Sequence, residues 1–267
     1  MLSSTLLAGL LPPQVISAEA YTDPPGVFLY PEEEAVITRA VDKRRREFTT
    51  GRYCARQALT ALGVTPGPLP RGERGAPVWP AGVVGSLTHC DGYRAAAVAH
   101  RSEVTSLGVD AEPHARLPDD VLGGVTLPAE RDALAVLERR HPRLHWDRLL
   151  FSAKESVYKT WFPLTGAWLG FEEAEVEFLA HRADPWPAGH GPSVADVGVP
   201  GVPSVPGVPD GAAYSGEFRA RLLRSGQDPD GHPLRGFEGR WRVARGLLLT
   251  AVTYRTPGAG STSGSGV

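Results

Sequence analysis

Val83-Val84-Gly85-Ser86-Leu87-Thr88-His89-Cys90-Asp91-Gly92-Tyr93-Arg94-Ala95-Ala96-Ala97-Val98-Ala99 is the stretch on which the fold turns. Asp91-Gly92 is a hairpin turn signal, and the apolar runs beside it read as two antiparallel strands, Val83 to His89 and Tyr93 to Ala99. A third strand, Thr105 to Glu112, is closed by Pro113. Upstream, Pro31 opens a helix with Glu32, Glu33 and Glu34 in its first turn, where the helix dipole favours acids. Thr49-Thr50-Gly51 is expected to interrupt that helix, and a second run, Arg52 to Leu62, stops at Gly63. Downstream the order recurs. Helices from Pro128 to Arg140 and Trp146 to Phe162 precede short strands at Glu175 to Leu179, Glu217 to Leu223, Gly239 to Ala244 and Leu247 to Tyr254. Helices followed by antiparallel strands, twice over, predict an α+β fold of two similar halves, although no strict internal repeat is present.

The chain has 267 residues, and 28 Lys+Arg against 30 Asp+Glu leave a formal net charge of −2. That balance excludes a protein that coats nucleic acid by bulk charge. The apolar stretch Leu6 to Leu11 ends at Pro12-Pro13, far short of the roughly 20 residues a bilayer crossing needs. It also lacks the basic flank of a secretory signal, since Glu19 is the first charged side chain. Two cysteines, Cys54 and Cys90, make no disulfide framework. The expectation is a reduced, cytoplasmic protein with no membrane span. Repeated Gly-Val-Pro within Ala183 to Ala213 can neither complete a ladder of backbone bonds nor bury much surface, so this segment reads as a mobile insertion. The Gly/Ser-rich tail from Gly258 to Val267 reads as disordered.

Several residues stand out chemically. Asp110 and Glu112, at i and i+2 on a strand, leave the same face about 6.5–7 Å apart. Two such carboxylates suit a hard cation such as Mg²⁺ or describe a solvated strand end. In the helix Phe151-Ser152-Ala153-Lys154-Glu155-Ser156-Val157-Tyr158-Lys159, Arg148, Ser152, Glu155 and Lys159 share one face. Glu155 and Lys159 form either an ordinary surface ion pair or part of a site, and aromatic neighbours weigh toward the second. Lys43 to Arg46, Arg52 and Arg56 make a basic cluster suited to phosphate or to a solvated face. The loop Arg71 to Gly75 adds backbone N–H groups and two guanidinium groups. No cysteine–histidine spacing supports zinc, and no P-loop or dinucleotide fingerprint is present.

These elements occur in a telling order: Arg-Arg-Glu-Phe and Gly-Arg-Tyr-Cys-Ala-Arg, then Gly85-Ser86-Leu87-Thr88-His89, then Gly108-Val109-Asp110-Ala111-Glu112, then Phe151-Ser152-Ala153-Lys154-Glu155 with Lys159. The chain resembles the 4′-phosphopantetheinyl transferases of the Sfp/EntD class over roughly Asp23 to Leu179. The resemblance implies two pseudo-symmetric α+β halves, each of helices on a small, mainly antiparallel sheet, with the active-site cleft between them. Residues 1–104 would form the coenzyme A adenylate side and 105–255 the metal and pyrophosphate side, with 256–267 as a tail. It implies a monomer that uses coenzyme A and Mg²⁺, with Mn²⁺ as an alternative ion. The acceptors are carrier-protein domains of polyketide, nonribosomal-peptide or fatty-acid synthases, and the by-product is adenosine 3′,5′-bisphosphate. It assigns the metal to Asp110, Glu112 and Glu155, and catalysis to Glu155, Lys159 and Asp110. Coenzyme A contacts fall on Arg44, Arg52, Arg71, Gly72, Glu73, Arg74, Thr88, His89, Lys154 and Lys159. Two readings compete, a Mg²⁺-dependent phosphohydrolase and a non-catalytic coenzyme A-binding module.

Overall fold

In the computed structural model, residues 6–185 and 212–257 are described. The helices are α1 Pro31–Glu34, α2 Asp42–Ala61, α3 Asp119–Val125, α4 Pro128–Arg140 and α5 Trp146–Thr165. The strands are β1 Ile16–Ala20, β2 Val83–Cys90, β3 Tyr93–His100, β4 Ser106–Pro113, β5 Ala174–Pro185, β6 Ala212–Leu222, β7 Gly236–Ala244 and β8 Leu247–Tyr254. They form two antiparallel sheets, ordered β1-β3-β2 and β4-β8-β7-β6-β5.

The hairpin closes as its turn residues require. Gly92 sits at φ 72°, and Cys90 faces Tyr93 while Val83 faces His100. The alanine-rich run of β3 is explained by burial on both faces. Ala95, Ala97 and Ala99 pack with Leu107, Val109, Ala111, Leu247 and Leu249 of the other sheet. Ala96 and Val98 meet Ala55, Ala58 and Leu59 of α2. On the second sheet, α5 buries Leu149, Leu150, Ala153, Val157 and Trp161 against Phe218, Trp241, Leu248 and Val252. Each sheet therefore carries one 20-residue helix.

The two sheets meet where β2 lies beside β4. Side-chain hydroxyls carry this seam: Ser86 Oγ accepts the Val109 N–H at 3.1 Å, and Thr88 Oγ1 accepts the Ala111 N–H at 2.9 Å. On the opposite face of β4, Gly108 lets α5 approach. A Cβ there would lie 2.0 Å from the Ser156 carbonyl oxygen and 2.8 Å from the Thr160 nitrogen. Ser106 Oγ donates to Thr160 O at 2.8 Å beside it. Gly108 thus sets how closely the helix bearing Glu155 and Lys159 lies over the strand bearing Asp110.

Several sequence expectations need correction. Gly51 does not break the first long helix; α2 runs through it, and the break falls at Val41, which is extended at φ −65°, ψ 157°. Helix α5 runs past the expected end at Phe162, carrying Pro163 in its last turn, and stops at Gly166 with φ 65°. The insertion is shorter than the expected Ala183 to Ala213: Ala183–Pro185 continue β5 and pair with Ala212–Tyr214. Residues 186–211, with the Gly-Val-Pro repeat, and the tail 258–267 lie outside the described residues. Strand β1 and helix α3 had no counterpart in the sequence reading. Among the described residues no helix is long and apolar enough to cross a membrane.

Candidate active-site cleft

A cleft of about 1040 Å³ opens between α2, the loop that carries Arg71 to Pro77, strand β2 and the middle of α5. Arg44, Arg52, Arg71, Gly72, Glu73, Arg74, Thr88, His89, Glu155 and Lys159 all line it. Residues up to 115 positions apart in the sequence are thus brought to one surface, which is what the sequence reading of those ten required.

The cationic wall comes from α2. Arg44 and Arg52, eight residues apart, lie on one face because the helix is unbroken. Arg44 Nη1 donates to His89 Nε2 at 2.6 Å. A guanidinium only donates, so Nε2 is the acceptor and the ring proton sits on Nδ1, facing Glu47 Oε2 at 3.4 Å. Burial holds the His89 pKa below its ordinary value against the pull of Glu47, and the Arg44 charge adds to the lowering. Arg52 stacks over Phe48 at 4.1 Å and donates Nε to Leu69 O at 3.2 Å. Burial, opposed by Glu33 and assisted by Arg56, Arg44 and Arg71, lowers Arg52 to about 10, which leaves it cationic at neutral pH. Gly51 lines the same wall, and a Cβ at this position would meet nothing within 4 Å. Opposite, Arg74 takes a left-handed conformation at φ 51° and places its guanidinium 5.5 Å from the Trp168 ring.

Acids of β4 and α5 lie at and beneath this cleft: Glu155 lines it with Lys159, whereas Asp110 and Glu112 do not line it and stand behind Lys159 and Thr88. Asp110 is 5% exposed. Its Oδ1 accepts from Lys159 Nζ at 2.7 Å and from Thr88 Oγ1 at 3.4 Å. Its Oδ2 is buried without a protein partner. Lys159 also donates to Val109 O at 3.2 Å. Burial acts to lower the Lys159 pKa, but Asp110, Glu155 and Glu112 together hold it above its ordinary value. Burial raises Glu155, with Lys159 opposing and Asp110 reinforcing, and its carboxylate has no protein donor among the described residues. Burial and then Asp110 push Glu112 up to about 7, while Arg148, whose Nη1 reaches Oε2 at 3.1 Å, pulls it down.

Two expectations change here. Lys154 does not reach the cleft. Its ammonium donates to Val125 O at 2.8 Å, Glu130 Oε2 at 2.7 Å and Phe171 O at 2.8 Å, so all its protons are used inside the second half. It is a buried structural lysine, not a pyrophosphate contact. The acids Asp110, Glu112 and Glu155 also stand less close than a shared ligand set implies, since they do not bring one oxygen each within 4.8 Å of one another. Lys159 sits against Asp110, and Glu112 turns to Arg148. Asp228, Asp230 and His232 do group that tightly. However, Asp228 Oδ1 accepts the N–H groups of Asp230 and His232, and its Oδ2 accepts from Tyr254 and Thr256, so this acid organises a turn. The sequence reading gives no role to Glu47, and places Arg148 only on the helix face it shares with Glu155 and Lys159. Glu47 was signalled by its i+3 spacing from Arg44, whereas nothing local to Arg148 points to Glu112.

In donor chemistry, three carboxylates, one with a buried unpartnered oxygen, fit a hard divalent cation such as Mg²⁺ or Mn²⁺, which would have to draw them closer than they stand here.

Comparison with known proteins agrees with this architecture. Residues 32–99 match the 4′-phosphopantetheinyl transferase N-terminal domain, and residues 106–185 match the 4′-phosphopantetheinyl transferase superfamily. The chain belongs to this superfamily, whose members transfer the 4′-phosphopantetheine of coenzyme A to carrier proteins. It is 48% identical to the 4′-phosphopantetheinyl transferase Svp of Streptomyces mobaraensis over 94% of this chain and 90% of that protein. It is 46% identical to PptT of Mycobacterium tuberculosis over 94% of this chain and 99% of that protein. Identity to Npt of Nocardia iowensis is 47%, over 93% of this chain and all of that protein.

Proposed function

We propose that this cleft binds coenzyme A with its phosphorylated adenylate against α2 and His89, and transfers its 4′-phosphopantetheine arm to a serine of an apo carrier protein. The observation that carries the reading is that Glu155 and Lys159, the latter paired with Asp110 behind it, line a cleft whose other wall is cationic. Coenzyme A, with a 3′-phosphate and a pyrophosphate on its adenosine and a neutral pantetheine arm beyond them, matches that distribution.

Each side chain then has a task. Arg44 and Arg52 hold the 3′-phosphate with bidentate donors, and Glu47 fixes His89 as the tautomer that accepts from Arg44. Arg71 and Arg74 with Gly72 and Glu73 border the path of the pyrophosphate, and Thr88 borders Asp110. The serine oxygen attacks the phosphorus that bears the pantetheine arm. The bond from that phosphorus to the bridging oxygen breaks, and adenosine 3′,5′-bisphosphate leaves. Glu155, its pKa raised by burial, accepts the serine proton. Lys159 offsets negative charge developing on the departing bisphosphate. Asp110 and Glu155, with Glu112, would hold a divalent cation, which neutralises pyrophosphate charge when bound.

The acceptors we propose are carrier domains of polyketide, nonribosomal-peptide or fatty-acid synthases, within the cytoplasm. Mass spectrometry of an apo carrier domain incubated with coenzyme A and Mg²⁺, with and without EDTA, tests the reading. A carrier that gains one phosphopantetheine only when the cation is present supports it. Release of inorganic phosphate with an unchanged carrier indicates a phosphohydrolase, and coenzyme A binding without either product indicates a binding module.

A further inference from the structure

Arg148 lies two turns before Glu155 on α5, seven residues earlier and hence on nearly the same helical face. Each of its three guanidinium nitrogens donates a hydrogen bond. Nη1 donates to Glu112 Oε2 at 3.1 Å, Nε to Ala115 O at 3.3 Å and Nη2 to Arg116 O at 2.8 Å. One rigid fork therefore clamps the last acid of β4 and the loop that follows it onto the helix that carries Glu155 and Lys159. The loop is also held by contacts that do not involve Arg148. Leu117 N–H donates to Asp147 Oδ2 at 2.8 Å, and His145 N–H donates to His114 Nε2 at 3.3 Å. What depends on Arg148 is Glu112, whose other oxygen has no protein donor among the described residues and whose nearest acidic neighbour is Asp110 on the same strand face.

We infer that Arg148 is a positioning residue for the cation site: it holds Oε2 of Glu112, leaves Oε1 as the available ligand, and offsets the repulsion between Glu112 and Asp110. The inference rests on the reading of Asp110, Glu112 and Glu155 as cation ligands. Carboxylates that ligate metals are themselves oriented by such partners, and loss of the partner weakens metal affinity by about 10–100-fold. Lysine cannot replace the fork, because a point charge on a flexible stem cannot serve the same three acceptors in the same directions.

Mn²⁺ titration of the EDTA-stripped full chain, followed by electron paramagnetic resonance without coenzyme A, tests this. The set is wild type, Arg148→Lys, Glu112→Gln and the double variant, with Arg148→Gln as a second replacement and melting curves to confirm folding. Arg148→Lys is expected to bind Mn²⁺ at least ~10-fold more weakly. In the Glu112→Gln background the same change should add nothing further, because its target is gone. In turnover, the apparent KM for Mg²⁺ should rise while that for coenzyme A stays put. Wild-type Mn²⁺ affinity in both Arg148 variants would overturn the inference, as would a full additional loss in the double variant, which would mark a general structural role. A wild-type chain that binds no Mn²⁺ would overturn the cation reading itself, and this inference with it.

Discussion

Replacing Lys154 with methionine separates the structural account from the sequence-based expectation that this lysine grips pyrophosphate. Lys154→Met keeps the length and apolar stem but deletes an ammonium whose side chain is 1% exposed. Glu130, 2% exposed, loses its cation, and the carbonyls of Val125 and Phe171 lose their donor. Glu130 keeps the N–H groups of Leu127 and Val176, each at 2.8 Å, so its charge is not left bare. Removing one partner of a buried pair costs about 3–5 kcal/mol, a large share of a typical total of about 5–15 kcal/mol. At about 2–4 °C per kcal/mol for a chain of this size, the melting temperature should fall by about 6–20 °C. Urea denaturation and thermal melting read the loss. Calorimetry at a temperature where the variant is still folded should find coenzyme A affinity within about threefold of wild type. Lys154→Met with Glu130→Gln, which strands no charge, should recover part of the stability. Unchanged stability with a marked loss of coenzyme A affinity would refute the argument and return Lys154 to the cleft.

Other perturbations address the cleft and its supports. Gly108→Ala places a Cβ 2.0 Å from Ser156 O, so overpacking should cost about 1–3 kcal/mol and depress turnover as α5 lifts from β4; wild-type stability by urea denaturation would show that the close approach is unimportant. Glu112, held near 7 in the folded protein against an ordinary 4.5, binds more protons folded than unfolded across that window. Metal-free stability should therefore fall as pH rises from about 4.5 to about 7, and Glu112→Gln should flatten the slope in EDTA; an unchanged slope would remove Glu112 as its source. Arg44→Ala removes the donor to His89 Nε2 and should mainly weaken coenzyme A binding, and an unchanged affinity by calorimetry would take Arg44 out of the site.

How much of this was legible beforehand differs by residue. Strands β2, β3, β4 and β8 were readable because turn chemistry and apolar runs mark them locally, and α4 was readable from its proline start. Strand β1 is only Ile16–Ala20, and it exists because β3 offers it an edge, with Ile16 opposite Val98; no local signal carries that. Gly51 looked like a breaker because glycine costs about 1 kcal/mol in a helix interior, yet Cys54, Ala55, Ala58 and Leu59 pack the helix onto the sheet beyond it. The site acids were legible as a pattern, since Asp110 and Glu112 share a strand face and Glu155 and Lys159 a helix face. Lys154 was not placed correctly, although helical geometry argued against it. At about 100° per residue it lies about 140° around α5 from Lys159, and so faces Glu130 of α4 instead of the cleft. The links of Glu47 to His89 and of Arg148 to Glu112 join different elements and became visible only in three dimensions.

Glu155, lining the cleft, serves the transfer step in the mechanism we propose, while the cationic wall serves binding. Glu155→Gln, assayed by mass spectrometry of carrier loading at saturating coenzyme A and Mg²⁺, with coenzyme A affinity measured in parallel by calorimetry, tests that division most directly. The expected result is a loss of turnover of about 10²–10⁴-fold with affinity little changed. Wild-type turnover in this variant, or a loss that tracks weakened coenzyme A binding alone, would contradict it.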